Sequence, residues 1–566
     1  MIDLKGKPFY LDDEDIRWVE ETIDAMSLEE KIGQLFCPVG FTKDKELLKP
    51  LLEKNIAGIM YRSGPAKEIQ ETQRWLQENS RIPLLLPANL EAGGTGSVEE
   101  GTNFGKPLQA AATDDETEGY HLGKISCTEG AAVGINWSFA PIVDIDNNWR
   151  NPITNLRTFG DDPRRVLRFG SGYLKGAAEA GVAVSIKHFP GDGVDERDQH
   201  LHTTVNALSA DEWMDTYGMI YKGLIDQGAQ TVMVGHIAQP AWAKRLNPLL
   251  SGKDLYRPAT LSREIVTGLL RETLGFNGMI VTDATSMLGY TCAMERSKAV
   301  PTTIAIGCDM FLFNKSFDED YGYMLDGYKN GIITEERLRE ALTRILALKA
   351  SLGLHKKQKE GTLVPGPEAL SVLRNPQFVQ WAYDCADKAV TLVKDTQELL
   401  PITPEKYPRI VLFTSEGGGY FGETTGLHER LKKALQEQGF TVLDPPEGAY
   451  ISDKPITVAG FKENYDLAFY AFDFPTASNN TVVRLSWKGG LGGSNTPWFC
   501  EELPTMAVSF ANPYHLIDVP ELHTYINAYT DSEFVLSAVM DKITGKSPFK
   551  GKNPVDPFCG REDTKF

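Results

Sequence analysis

At 566 residues the chain is too long for one ordinary core and implies two or three domains, each able to bury a sizeable interior. Its 42% hydrophobic and 24% charged content is that of a soluble globular protein rather than a disordered or membrane one. With 77 acidic against 58 basic residues the net charge is -19, and no Lys/Arg block gathers the opposite sign, so nucleic acid and anionic membrane are not expected partners.

The N-terminal stretch MIDLKGKPFYLDDEDIRW lacks the apolar core of a signal peptide, and no later segment offers the roughly 18 apolar residues that span a bilayer. Apolar runs bounded by turn residues then recur through the first 350 residues. They are QLFCPVG (34–40), AGIMYR (57–62), PLLLPAN (83–89), INWSFAPIVDI (135–145), VAVSIKHF (182–189), TVMVGHI (231–237), GMIVTDA (278–284) and DMFLFN (309–314). Helical segments such as LEEKIGQLF, AKEIQETQRWLQEN, PRRVLRFGSGYLKGAAEAG and LSREIVTGLLRETLG lie between them, the first opened by a Ser27-x-x-Glu30 capping box. Eight apolar strands alternating with helices predict a parallel sheet closed into a (β/α)8 TIM-type barrel over residues 1–355.

The basic helix ITEERLREALTRILALKASLGL (333–354) closes this unit, and residues 356–375 read as a linker from their charge, Gly and Pro content. Beyond it, AVTLVKD, RIVLFTS, TVLD, LAFYAFDF and MAVSFAN alternate with helices such as GLHERLKKALQEQG and SEFVLSAVMDKITG, predicting a smaller open α/β domain over 376–566. The stretch 475–499, rich in Gly and Ser, reads as a long mobile loop in which Trp487 and Trp498 pack rather than form a sugar platform. Seven cysteines (Cys37, Cys127, Cys292, Cys308, Cys385, Cys500 and Cys559) are scattered and form no CxxC pair, which fits a reduced cytoplasm.

In a barrel of this kind the polar residues that end the strands converge on one mouth. Here they are Asn89, Asp144, Lys187, His188, His236, Asp283 and Asn314. The densest group is VSIKHFPGDGVDERDQH (184–200), an apolar run ending in Lys187 and His188 and followed by a Gly/Pro/Asp loop that closes on Asp198 and His200. Asp198 can orient the His200 imidazole, making it a candidate acid/base. Asp283, projecting from its strand, has the placement of a nucleophile or a metal ligand. A carboxylate nucleophile facing a proton donor is the minimum equipment for retaining glycoside cleavage.

These segments resemble glycoside hydrolase family 3, in its β-N-acetylglucosaminidase branch. The resemblance is carried by MSLEEKIGQLF (26–36), GINWSFAPIVDIDNNWRNPITNLRTFGDDP (134–163), GVAVSIKHFPGDG followed by DQH, TVMVGHI, and residues 261–284, with MAVSFANPYHLIDVPELHTYINAYT similar to the family's C-terminal domain. It implies Asp283 as nucleophile, His200 as acid/base and Asp198 as its partner in the Asp-x-His dyad. It further implies Arg157, Lys187 and His188 as hydrogen-bonding groups for the sugar, with His236 and Asp144 lining the pocket. Asn89 and Glu91 fall where the family usually has Asp-x-Glu, so an amide replaces a sugar-binding carboxylate and loses its charge-assisted bonds.

The activity so implied is that of a retaining exo-acting β-N-acetylglucosaminidase on an aminosugar glycoside, with no metal and no organic cofactor. Phosphorolysis stays open, because a neutral histidine, unlike a carboxylate, does not repel phosphate. Two readings of another class also stand. One is a metal-dependent amidohydrolase using His200-x-His202, Lys187, His236 and Asp283, although an HxH pair there belongs after the first strand rather than the fifth. The other is a non-catalytic sugar-binding protein, suggested by Asn89. Oligomeric state is not legible.

Overall fold

The computed structural model describes residues 2–417, 425–446, 456–487 and 495–566. The chain divides into two compact units, Met1–Phe104, Glu116–Asn148 and Asp162–Val379 in the first, and Gly105–Asp115, Trp149–Asp161 and Gln380–Phe566 in the second.

The first unit is a closed barrel of eight parallel staves. They are β1 (Phe36–Cys37, continued by Val39–Gly40), β2 (Met60–Tyr61), β3 (Pro87–Ala88), β4 (Trp137–Ser138), β5 (Ala183–Phe189), β6 (Thr231–Val234), β7 (Met279–Thr282) and β8 (Phe311–Leu312). An unbroken sheet runs from β3 to β7 through β4, β5 and β6. Closure comes from β8 pairing with β1, Met310 bridging to Val281 before β8, Val39–Gly40 pairing with β2, and Gly58 bridging to Leu85. Each apolar run of the sequence thus supplies one stave. The longer ones are buried at every position, which explains why they show no alternation of polar and apolar residues.

Helices cover the staves. The expected capping box opens Leu28–Gly33, with Glu30 N–H on Ser27 Oγ at 3.2 Å and Ser27 N–H on Glu30 Oε2 at 2.8 Å. Helices Thr117–Ala132 and Pro163–Glu179 cross closely because glycines meet there: a Cβ on Gly176 would stand 2.4 Å from Lys124 N, and one on Gly123 would stand 2.4 Å from Tyr173 O. Residues 356–375 carry most of the short helix Leu354–Glu360 and the turn Pro367–Val372.

The second unit is an open six-stranded sheet of β9 (Thr391–Asp395), β10 (Arg409–Glu416), β11 (Thr441–Leu443), β12 (Leu467–Asp473), β13 (Thr505–Ser509) and β14 (Thr524–Asn527), in the order β9-β14-β13-β12-β10-β11. Only β9 runs antiparallel to its neighbour. The sequence reading supplied five of these strands; the sixth, β14, is the short apolar run TYIN, inserted between β13 and β9. Segments 105–115 and 149–161 join this unit through Leu108, Ala112 and Leu156, which are buried against Ala389, Ala511, Tyr514 and Tyr529. Trp487 and Trp498 pack on the apolar cluster around Tyr470 and Phe461; residues 488–494 of the loop expected over 475–499 lie outside the described residues.

Candidate active site

The C-terminal end of β5 supplies two successive polar side chains, Lys187 and His188, both buried. Adjacent residues of a regular strand face opposite sides, but the β5–β6 register shifts between Ile186 and Phe189 and so re-aims Lys187 and His188. The His188 ring puts Nδ1 2.7 Å from Asp144 Oδ2. A carboxylate can only accept, so Nδ1 carries the proton and Nε2 is turned the other way. The second oxygen of Asp144 accepts the backbone N–H groups of His188 at 3.1 Å and Asp192 at 2.8 Å, so this buried carboxylate fixes both the imidazole and the turn after β5.

Asp283 follows β7 directly, its own N–H bonded to Val234 O at the end of β6. Its Oδ1 accepts the Ala284 N–H at 2.6 Å, while Oδ2 lies 3.9 Å from His188 Nε2, long for a direct hydrogen bond. Burial is the largest influence and opposes ionisation. Electrostatic attraction from the His188, His236 and His200 imidazoles, with the Ala284 N–H, nevertheless holds the carboxyl below its ordinary value. His236 is fully buried beneath it. Its Nε2 donates to Ala284 O at 2.9 Å, and its Nδ1 lies 3.0 Å from the Thr260 hydroxyl, which donates to it when the ring is neutral. Burial lowers its proton affinity accordingly.

The loop after β5 carries the dyad. Gly191 has a left-handed backbone, φ +113°, and a Cβ there would penetrate the Tyr217 ring, so glycine alone fits this turn. Tyr217 in turn donates its hydroxyl to Asp192 O at 2.5 Å. Further along, Asp198 Oδ1 accepts from His200 Nδ1 at 2.6 Å and from His200 N–H at 2.9 Å. Nδ1 therefore bears the proton that Asp198 holds, leaving Nε2 for exchange, and the ring is within electrostatic reach of Asp283. The His200 side chain is a quarter exposed, whereas that of Asp198 is buried.

The barrel thus gathers Asp144, His188, His236, Asp283, Asp198 and His200. Lys187 forms a buried ion pair with Glu91 at 2.8 Å, joining the ends of β5 and β3. Asn89 is exposed at the end of β3, and Arg157 belongs to the second unit, on the turn Asn155–Arg157. His202 is exposed, and among the described residues no three His, Cys, Asp or Glu side chains are placed together to hold a metal ion. Asp144 and His236 have their polar atoms committed to neighbouring protein groups and brace the site from below. Sequence reading passed over Asp192, Gln199 and Thr260. Only Asp192 carried a signal, standing between two glycines in a turn; the other two become visible through their partners.

Residues 27–348 match the glycosyl hydrolase family 3 N-terminal domain. A Beta-N-acetylglucosaminidase/beta-glucosidase of Cellulomonas fimi is 44% identical over 568 residues, covering 100% of both chains. A Beta-hexosaminidase A of Pseudoalteromonas piscicida is 29% identical over 56% of this chain and 55% of its own. Among solved structures, a beta-glucoside phosphorylase superposes with TM-score 0.93 at 43% identity over 99% of both chains. A family 3 beta-N-acetylglucosaminidase from Paenibacillus sp. shares the fold with TM-score 0.77 at 23% identity, over 94% of this chain and 99% of its own.

Proposed function

The chain belongs to glycosyl hydrolase family 3, and on that premise we propose that it cleaves terminal β-linked N-acetylglucosamine from glycosides by double displacement. The observation that carries this reading is the Asp198–His200 pair, whose geometry leaves Nε2 as the exchangeable site of a ring within electrostatic reach of Asp283. In the first step Asp283 Oδ2 bonds to the anomeric carbon as the bond to the leaving oxygen breaks, and His200 Nε2–H gives that oxygen its proton. In the second, water loses a proton to His200 Nε2, its oxygen bonds to the anomeric carbon and the carboxylate is released. Two inversions leave the configuration retained. His188 and Lys187 would bind hydroxyls of the sugar, and a glucoside as alternative substrate is supported by the dual name of the Cellulomonas fimi relative.

Phosphate in place of water is a second reading. It is favoured by an imidazole where most glycosidases use a carboxylate, since a neutral ring does not repel an incoming anion, and by the similarity to a beta-glucoside phosphorylase. Seven cysteines, all thiols, are compatible with action in a reduced cytoplasm. The test is a panel of aryl β-glycosides (N-acetylglucosaminide, glucosaminide, glucoside, xyloside) with and without phosphate, followed by product analysis. Free N-acetylglucosamine as product supports hydrolysis, and a sugar 1-phosphate supports phosphorolysis. Asp283→Asn should lower turnover by ~10³-fold or more with the fold intact. His200→Ala should cost roughly 10²-fold in kcat/KM on poor leaving groups and little on activated ones. Full activity of the Asp283 variant sinks the proposal.

A further inference from the structure

Gln199 stands between the two members of the dyad, and its side chain points away from them into the barrel. It is 1% exposed. Its Oε1 accepts the N–H of His236 at 2.8 Å, at the end of β6, and its Nε2 donates to Asp192 Oδ2 at 3.4 Å, on the turn pinned by Asp144. The fit at β6 is close, since a Cβ on Gly235 would stand 2.9 Å from Gln199 Oε1. One residue on, the His200 carbonyl accepts the Leu288 N–H at 2.9 Å, from the helical turn after β7. Both bonds on either side of the imidazole therefore run to the ends of the staves that carry His236 and Asp283.

We propose that Gln199 is a positioning residue for the acid/base: together with the Leu288 N–H it latches the dyad loop to β6 and β7 and so sets His200 Nε2 at its working distance from Asp283. This rests on the reading of His200 as acid/base. The loop has no regular structure of its own over Gly191–His200 and is pinned elsewhere at Gly191, Val194 and Asp195, whereas the Gln199 and Leu288 bonds flank the imidazole itself. The Asp198 bond orients the ring within the loop; the Gln199 bond orients the loop against the barrel.

The test uses the whole chain and two aryl β-N-acetylglucosaminides, one with a poor and one with an activated leaving group. Gln199→Met removes both hydrogen bonds at nearly constant volume. It should lower kcat/KM on the poor leaving group by about tenfold or more and on the activated one by less than about twofold. Leu288→Pro is the second variant: the residue is exposed and opens a helical turn, where the backbone suits proline, and the ring both removes the N–H that holds His200 and sets its Cδ against that carbonyl, forcing the loop off the turn after β7. It should show the same split, with a lower melting temperature that Gln199→Met need not share. His200→Ala is assayed beside them. If it discriminates between the substrates while both latch variants match the unmodified protein, or lose equally on both substrates, the latch is wrong and the acid/base reading stands. If His200→Ala fails to discriminate, that reading itself falls.

Discussion

Asp144 shows how one buried side chain decides the chemistry of another. Its two oxygens hold three N–H groups, two of the backbone and one of the His188 ring, and this fixes which ring nitrogen faces Asp283. In Asp144→Asn the single remaining oxygen can serve the two backbone donors, and the amide N–H then faces His188 Nδ1. The imidazole must shift its proton to Nε2, toward Asp283. We expect kcat/KM to fall roughly 10²-fold while the melting temperature changes little. Unaltered kinetics in that variant would show that the tautomer is immaterial. Gln199 and Thr260 were not legible in the sequence, because glutamine and threonine occur anywhere on a protein; only the partners they meet mark them. Asp283 and His188 were legible because a polar or charged residue ending an apolar run is rare without a reason, and the dyad because Asp198 and His200 stand one residue apart on the glycine-containing loop that follows.

At the scale of elements, all eight staves could be read from apolar runs, since strands buried on both faces leave a continuous signal. What the runs could not reveal is the slip in register between Ile186 and Phe189, which depends on the hydrogen-bonding partner rather than on the strand itself. The short run Thr524–Asn527 was likewise too brief to distinguish from the loops around it. The helix crossing of 117–132 on 163–179 yields a contrast. Gly176→Ala gains helix propensity worth up to ~1 kcal/mol, but its methyl would meet backbone atoms of Tyr120 and Lys124 that cannot move independently, at a cost of about 1–3 kcal/mol. Gly322→Ala, in helix Phe317–Lys329, meets nothing within 4 Å and gains the propensity alone. Thermal melts should therefore move in opposite directions, and two upward shifts would refute the packing argument.

For the molecule as a whole, stability should depend on pH through a carboxyl far from ordinary behaviour. Asp473, at the end of β12, is pushed up to about 7 by burial and then by the charges of Asp531 and Glu416, against Arg430. The Thr425 hydroxyl, 3.0 Å from Asp473 Oδ2, donates to the carboxyl and offsets part of that rise, while the Thr425 N–H serves Glu416 Oε2 at 2.9 Å. A folded-state value raised above the unfolded 3.8 means that this contribution is complete below about pH 3.8 and is lost as pH rises through about 7. Calorimetry of Asp473→Asn, which keeps a donor without a charge, should show a higher melting point than the unmodified protein at pH 8 and a shallower pH slope. Equal slopes would count against the raised carboxyl.

Two stretches numbered within the first third of the chain, 105–115 and 149–161, bury Leu108, Ala112 and Leu156 in the interior of the second unit. Scission after residue 379 would accordingly strand these greasy side chains without their lining and strip the later sheet of part of its own filling. Neither half is a self-sufficient parcel of sequence: shuffling by simple end-to-end fusion would break both, and ribosomal synthesis must hold the early stretches uncovered until the last third has emerged.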